Sequence, residues 1–354
     1  MMNSSAIKIT AGELNRHIDH GIDYLHEHQY PNGEFCCYYS PDDHMKEWCV
    51  PDSTVFPASL IAACLMQLRD SPKVKEILSL TAGFLSYQVM RGGVWNFFTK
   101  WNPLFQYSPA DTDDTVFASY VLKSLQVDFT DNSKLLMDNR NSKGLFYTWF
   151  VLRPAMNSNL NFWKIMSREL KRPLKSVLFW FQHESSRNDI DAVVNANILF
   201  YFGLNEQTRA VVDYLLRIVA DNKEGDSDKW YKNRITFYYF LSRNYKTVKE
   251  LEPAKEPIIK RIYETIRENG AFGNSAFETA LSISTLANFN HRDEQMDRAV
   301  DFLFKAQCKS GCWERHVFFY SGHQKAVGWG SEEIVTGYCL EALANYRGLL
   351  TSKS

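Results

Sequence analysis

The sequence predicts an all-α fold, a single (α/α)6 barrel (toroid) of six helical hairpins. Three observations carry that expectation. One helix-start pattern recurs six times, a Gln, Gly-x-aromatic turn precedes several copies, and 354 residues suit six hairpins. The segment DSTVFPAS from Asp52 matches DDTVFAS from Asp113, and each runs into an apolar, helix-like stretch. DIDAVVNANILF from Asp189 aligns with DTDDTVFASYVL from Asp111. Weaker copies are KNRITFYYFL from Lys232, FETALSISTL from Phe277 and SEEIVTGYCL from Ser331. The starts at 52, 113, 191, 232, 277 and 331 lie about 56 residues apart on average, the length of two helices and two loops. An open solenoid would use the same unit. A closed ring leaves no exposed end caps, so one domain over residues 1–354 is expected.

The turns repeat as well. Gln88 is followed by Gly93 and Trp95, and Gln307 by Gly311 and Trp313. Gln29, Gly33 and Phe35 repeat the form with Phe for Trp, and Gly270 with Phe272 is a remnant without the Gln. Gly suits the left-handed end of a helix, the Gln amide can satisfy orphan backbone groups, and the ring packs between hairpins. Each ring precedes its helix start by 17 or 18 residues, at Phe35 and Asp52, Trp95 and Asp113, Trp313 and Ser331.

Charge is nearly balanced, with 40 Lys+Arg against 41 Asp+Glu, so no bulk field favours nucleic acid. No run of 18 apolar residues predicts a transmembrane segment. Seven cysteines, an odd number, and an N-terminus without a signal-peptide pattern favour a reducing cytoplasm over a disulfide framework. The unusual figure is 14% aromatic residues, with 9 Trp, 18 Tyr and 24 Phe.

The turns resemble the QW repeat of squalene and terpene cyclases. DTDDT from Asp111 is similar to the DxDD acid motif of the class II terpene cyclase / squalene-hopene cyclase-like family, and WGSEE from Trp329 to their late helix starts. The resemblance covers most of the chain. It implies (α/α)6 barrels, no redox cofactor, and protonation-initiated cyclisation of a polyene, an isomerase or lyase type of reaction. The family usually pairs two barrels around its cavity, and this chain has room for one. Either one lumen serves, or a homodimer or second helical partner closes the cavity. The paired motifs of the ionising class I cyclases are missing: Asp42-Asp43 lies in a Pro- and Cys-rich stretch, and Asn188-Asp189 lacks the Ser and Glu expected after it.

Protonating an alkene needs a positioned Brønsted acid in a dry cavity. Carboxylates at i, i+2 and i+3 cannot all ionise, so one keeps its proton near neutrality. By resemblance the middle acid, Asp113, is the donor, with Asp111 and Asp114 orienting it. Helix capping is the competing account, because Asp and Thr are favoured at helix starts. Asn195, Asn233 and His183 are candidates to tune Asp113.

If the six repeated helices line the lumen, their starts meet at one mouth. That ring collects Asp52, Asp113, Asp114, Asp191, Lys232, Asn233, Arg234, Glu278, Glu332 and Glu333. Lys232 and Arg234 are the candidates for a diphosphate, and neighbouring acids could hold Mg²⁺ against it. Acid catalysis itself requires no cofactor. Mutual ion pairing in a polar rim is the alternative, and His323 and Lys325 are secondary candidates. Trp101, Phe117, Trp230, Phe277, Trp329 and Tyr338 are candidates to line the lumen. Each ring face is worth about 0.5–2 kcal/mol to a cation, and core packing is the competing role for each.

The expected substrate is therefore a small-molecule linear isoprenoid, a C15 or C20 prenyl diphosphate. Two other classes fit the same pattern. An (α/α)6 glycoside hydrolase would use Asp113 with Asp191 as acid and base. A non-catalytic isoprenoid-binding or scaffold toroid would keep the barrel alone. Cys308, Cys312 and His316 have a zinc-like spacing, but a glycine turn interrupts them.

Overall fold

The computed structural model describes residues 9–153, 159–170, 185–321 and 326–351. Among these, thirteen α-helices dominate: α1 Ala11–His28, α2 Phe56–Leu65, α3 Pro72–Gln88, α4 Thr112–Ser124, α5 Ser133–Asp138, α6 Leu160–Leu170, α7 Ala192–Phe202, α8 Arg209–Ala220, α9 Arg234–Ser242, α10 Glu252–Tyr263, α11 Ala276–Asn288, α12 Glu294–Ala306 and α13 Glu332–Thr351. Six of them, α2, α4, α7, α9, α11 and α13, pack in that order into a closed ring, with α13 returning to α2. They are the six repeated segments, and their first residues fall within four of the starts read from sequence. The fold is an all-α toroid.

The two layers differ in the way their sequences require. Inner helices are buried on every face: all residues from Ala192 to Leu199 in α7 and from Ile235 to Ser242 in α9 are inaccessible. Outer helices bury one stripe, as Met296, Ala299, Val300 and Leu303 do in α12. Side-chain caps start several helices. Thr10 and Glu13 form a capping box on α1, and Asp111, Asn233, Ser275 and Asp293 cap α4, α9, α11 and α12.

The Gly-x-aromatic turns bind the layers together. Each glycine is left-handed, with φ +88° at Gly33, +76° at Gly93 and +98° at Gly311. A Cβ at Gly93 would stand 2.2 Å from the Thr130 carbonyl oxygen, so only glycine fits. Indole Nε1 of Trp95 donates to the Leu85 carbonyl, and that of Trp313 to the Leu303 carbonyl, both at 2.8 Å. Gln307 reaches from the end of α12 to the His17 carbonyl of α1 at 3.0 Å. The ring residue's own N–H donates into the next inner helix. Trp95 bonds Thr115 Oγ1, Phe146 bonds Asn195 Oδ1, Phe272 bonds Thr279 Oγ1 and Trp313 bonds Thr336 Oγ1. In four of the six repeats one small polar side chain thus sets the height of the inner helix against its turn.

A small antiparallel sheet was not anticipated. Strands β1 Tyr38–Ser40, β2 Val50–Pro51, β3 Val317–Tyr320 and β4 Gly328–Gly330 lie in the order β2-β1-β4-β3. It joins the loop after α1 to the loop after α12. Its residues form part of the cavity wall described next.

Candidate active site

The N-terminal ends of α2, α4 and α7, the loop before α9 and strands β3 and β4 surround a cavity of about 140 Å³. Ring faces make most of its wall: Phe56, Phe97, Phe98, Trp149, Trp230, Tyr231, Phe319, Tyr320 and Trp329. Phe319 stacks on Trp329 at 5.8 Å with 12° between planes, and Phe97 meets both edge-on. Trp149 and Trp230 form a second edge-on pair at 5.6 Å. The acids in this wall are Asp111, Asp113 and Asp114.

The local sequence explains how each acid is held. Asp111 is the cap of α4, accepting the Asp114 N–H at 2.8 Å. The following residues turn inward with the helix. Asp113 Oδ2 accepts from Tyr231 Oη at 2.5 Å, and Oδ1 from Asn197 Nδ2 at 2.7 Å. No cation pairs with Asp113 among the described residues. Burial therefore pushes its carboxyl up to about 7, and the charges of Asp111 and Asp191 add to the rise. The bonds from Tyr231 and Asn197 oppose it. Burial lifts Asp114 well above the usual carboxylate range, and the charge of Asp111 beside it acts in the same sense. Asp114 Oδ1 is buried without a hydrogen-bond partner. Capping thus accounts for Asp111 but not for Asp113, whose oxygens cap nothing.

The other residues singled out from sequence divide. Trp230 and Trp329 line the cavity. Asp52 lies just behind, accepting from Trp329 Nε1 at 2.8 Å and Asn102 Nδ2 at 2.7 Å. Asp191 accepts from Thr148 Oγ1 at 2.5 Å, the Lys229 N–H at 3.0 Å and Trp230 Nε1 at 3.2 Å. Phe117, Phe277 and Tyr338 are buried in the core, Phe117 against Phe56 and Phe277 against Tyr338. Trp101 is 45% exposed and donates to Ser53 Oγ. Asn233 caps α9 and bonds Glu278, Lys232 is half-buried, and Arg234 is exposed. Those three residues do not line the cavity. His183, His323 and Lys325 lie outside the described residues.

Two of the expected tuning residues, Asn195 and Asn233, are engaged elsewhere. Asn195 bonds the Phe146 backbone and Asn233 caps a helix. The contact comes from Asn197, two residues beyond Asn195, and from Tyr231. Both sit in segments that read as apolar or loop-like, so no spacing rule marks them. Trp149 had a legible signal: Gly144 and Phe146 form another left-handed Gly-x-aromatic turn three residues earlier, with Arg140 where Gln29 and Gln307 stand.

Among the described residues no three His, Cys, Asp or Glu side chains are arranged to hold a metal ion. His316 Nδ1 faces the Val317 carbonyl at 2.7 Å, and Cys308 and Cys312 close the glycine turn through their backbones. No helix of the described residues is long and apolar enough to cross a membrane.

No protein-family model matches the sequence, and no sequence among curated proteins does. Solved structures do. The type II terpene cyclase MstE from Scytonema superposes with a TM-score of 0.70 at 13% identity, covering 96% of this chain and 99% of that one. A protein from Actinoplanes gives 0.67 at 17% identity, covering 94% and 99%. An unsaturated glucuronyl hydrolase specific for heparin gives 0.57 at 12%, covering 97% and 99%. The chain has a class II terpene cyclase-like fold. MstE is covered nearly end to end, so a cyclase of this class exists at the size of this chain.

Proposed function

We propose that the protein is a single-barrel, protonation-initiated terpene cyclase in which Asp113 is the general acid. One observation carries the reading: Asp113 is buried in the wall of an aromatic cavity, its carboxyl raised to about 7. A general acid works best when its pKa lies near the working pH. Asp111 is occupied as a cap, and Asp114 lies beside it, bonded to it through its own backbone N–H. The terminal alkene of a linear isoprenoid takes the proton from Asp113. The π pair forms the new C–H bond, and the cation left behind is attacked by the next alkene. The ring faces of Trp230, Phe319 and Trp329 stabilise that cation, and the apolar wall keeps water from it.

MstE has been solved with geranylgeranyl dihydroxybenzoate as its substrate, which supports a C20 chain for this fold. A cavity of about 140 Å³ is close to the ~150 Å³ that holds benzene. It accepts the terminal isoprene unit, and side chains of the mouth must move for the chain to fold further. A Mg²⁺ arriving with a diphosphate would take its ligands from phosphate oxygens and water, because Asp52 and Asp191 already accept from protein donors. The glycosidase reading gains nothing from Asp191, which is saturated and is not among the cavity-lining residues.

The test is incubation with farnesyl diphosphate, geranylgeranyl diphosphate and a geranylgeranyl phenol, with product analysis. Wild type is expected to cyclise at least one of them and Asp113→Ala none. No turnover by wild type, or the same products from the variant, would overturn the proposal.

A further inference from the structure

Beside the aromatic cavity lies a second depression of opposite character. It is an open cleft of about 520 Å³ between the end of α3, the turn Pro103–Gln106 and α6. Four cations line it: Arg91, Lys100, Lys164 and Arg168. No carboxylate lines it among the described residues. We infer that this cleft seats the diphosphate head of the substrate, an inference that rests on the cyclase reading above.

The wall between cleft and cavity is a single turn of chain. Leu104 and Ser108 face the aromatic cavity, while Phe105 and Gln106 face the cleft. Arg168 crosses that wall: its guanidinium donates to the Phe105 carbonyl and, at 3.3 Å, to the Ser108 carbonyl. It also lies 4.5 Å over the Phe105 ring. Lys100 is held by the Tyr87 carbonyl and lies 5.2 Å over the Tyr87 ring. Two cations are thus fixed in place, and Arg91 and Lys164 are exposed. Four like charges facing one open cleft favour an anion there, and a diphosphate supplies oxygens for both Arg forks and Lys ammonium groups. A polyene whose terminal alkene meets Asp113 leaves the small cavity past exposed Leu104, and its polar end then meets this cleft. Lys232 and Arg234, the cations favoured by sequence, line neither depression.

The experiment pairs calorimetric titration of inorganic diphosphate with kinetics on geranylgeranyl diphosphate and geranylgeraniol. Wild type is expected to bind inorganic diphosphate, and Lys164→Ala and Arg91→Ala to weaken it roughly tenfold each, with Lys164→Arg largely restoring it. The same Ala variants should raise KM for geranylgeranyl diphosphate about tenfold, leaving kcat and all geranylgeraniol parameters unchanged. No binding of inorganic diphosphate by wild type, or equal binding by the variants, overturns the site. Binding lost in the variants with KM unchanged overturns its assignment to the substrate's head. Binding lost in the variants of a protein that turns over neither substrate upholds the diphosphate site and overturns the cyclase reading.

Discussion

Tyr231 donates to Asp113 across 118 residues of sequence, at 2.5 Å between Oη and Oδ2. The bond favours the ionised carboxyl and so opposes the burial that raises its pKa. Burial also pushes the Tyr231 phenol well above its usual range, so it remains a donor throughout the working pH. The pair holds Asp113 near 7 rather than higher, where the acid would be weaker.

Tyr231→Phe removes that opposing bond and little else. A hydrogen bond to a charged group is worth about 1.5–3 kcal/mol, so the Asp113 pKa should climb by roughly one unit or more. If Asp113 is the acid, as proposed, activity should fall in wild type as pH rises through about 7. In the variant this alkaline limb should move to higher pH, with a lower maximal rate. A purely structural tyrosine would lower Tm and leave the limb where it is.

Asp113 also makes stability depend on pH in a definite sense. Its folded pKa is raised from 3.8 to about 7, so the folded state holds a proton that the unfolded chain has released. Stability from this group is full below about 4 and declines as pH rises to 7. Between pH 5 and pH 8 the loss is about 3 kcal/mol. Asp113→Asn removes the titrating group, so its stability relative to wild type should rise over the same interval. Denaturant unfolding at the two pH values measures this, and equal differences at both would refute it.

Two glycines make opposite predictions. Gly93 is left-handed and faces the Thr130 carbonyl, so Gly93→Ala combines backbone strain with a clash. A loss of about 2–4 kcal/mol is expected. Gly83 lies inside α3, and a Cβ there meets nothing within 4 Å. Gly83→Ala should stabilise by about 1 kcal/mol. Urea midpoints at unchanged slope give both values.

The sequence made the barrel legible because its repeats are physical. The N-cap and the Thr or Asn four residues on recur at Asp111 and Thr115, Asp191 and Asn195, Ser275 and Thr279. Those positions fix helix height, and they recur because the same bond is made in each of these repeats. The site was legible only where it coincided with a repeat, at Asp111 to Asp114. Asn197 and Tyr231 act on a single acid in a single repeat, so nothing elsewhere in the chain echoes them. The sheet that brings Phe319 and Tyr320 to the cavity was hidden for a related reason. Its strands are two to four residues long, and β1 meets β4 only across about 290 residues, so no local period announces them. The basic cleft has no sequence signature because its cations come from two segments, residues 91–100 and α6, that meet only in the folded chain.

Phe319 separates two roles that the aromatic wall is asked to play. It packs on Trp329, Phe97 and Phe56 and is 6% exposed. Phe319→Leu keeps most of the volume and removes the ring's negative face. At about 0.5–2 kcal/mol per ring, turnover should fall roughly 2- to 30-fold with the same products. Phe319→Ala opens space in which water can meet the cation, so part of the product should carry a hydroxyl. Reaction in ¹⁸O-labelled water marks that oxygen. Unlabelled, unchanged products from the Ala variant would mean that Phe319 does not exclude water. An unchanged rate in the Leu variant would mean that its ring does not face the cation.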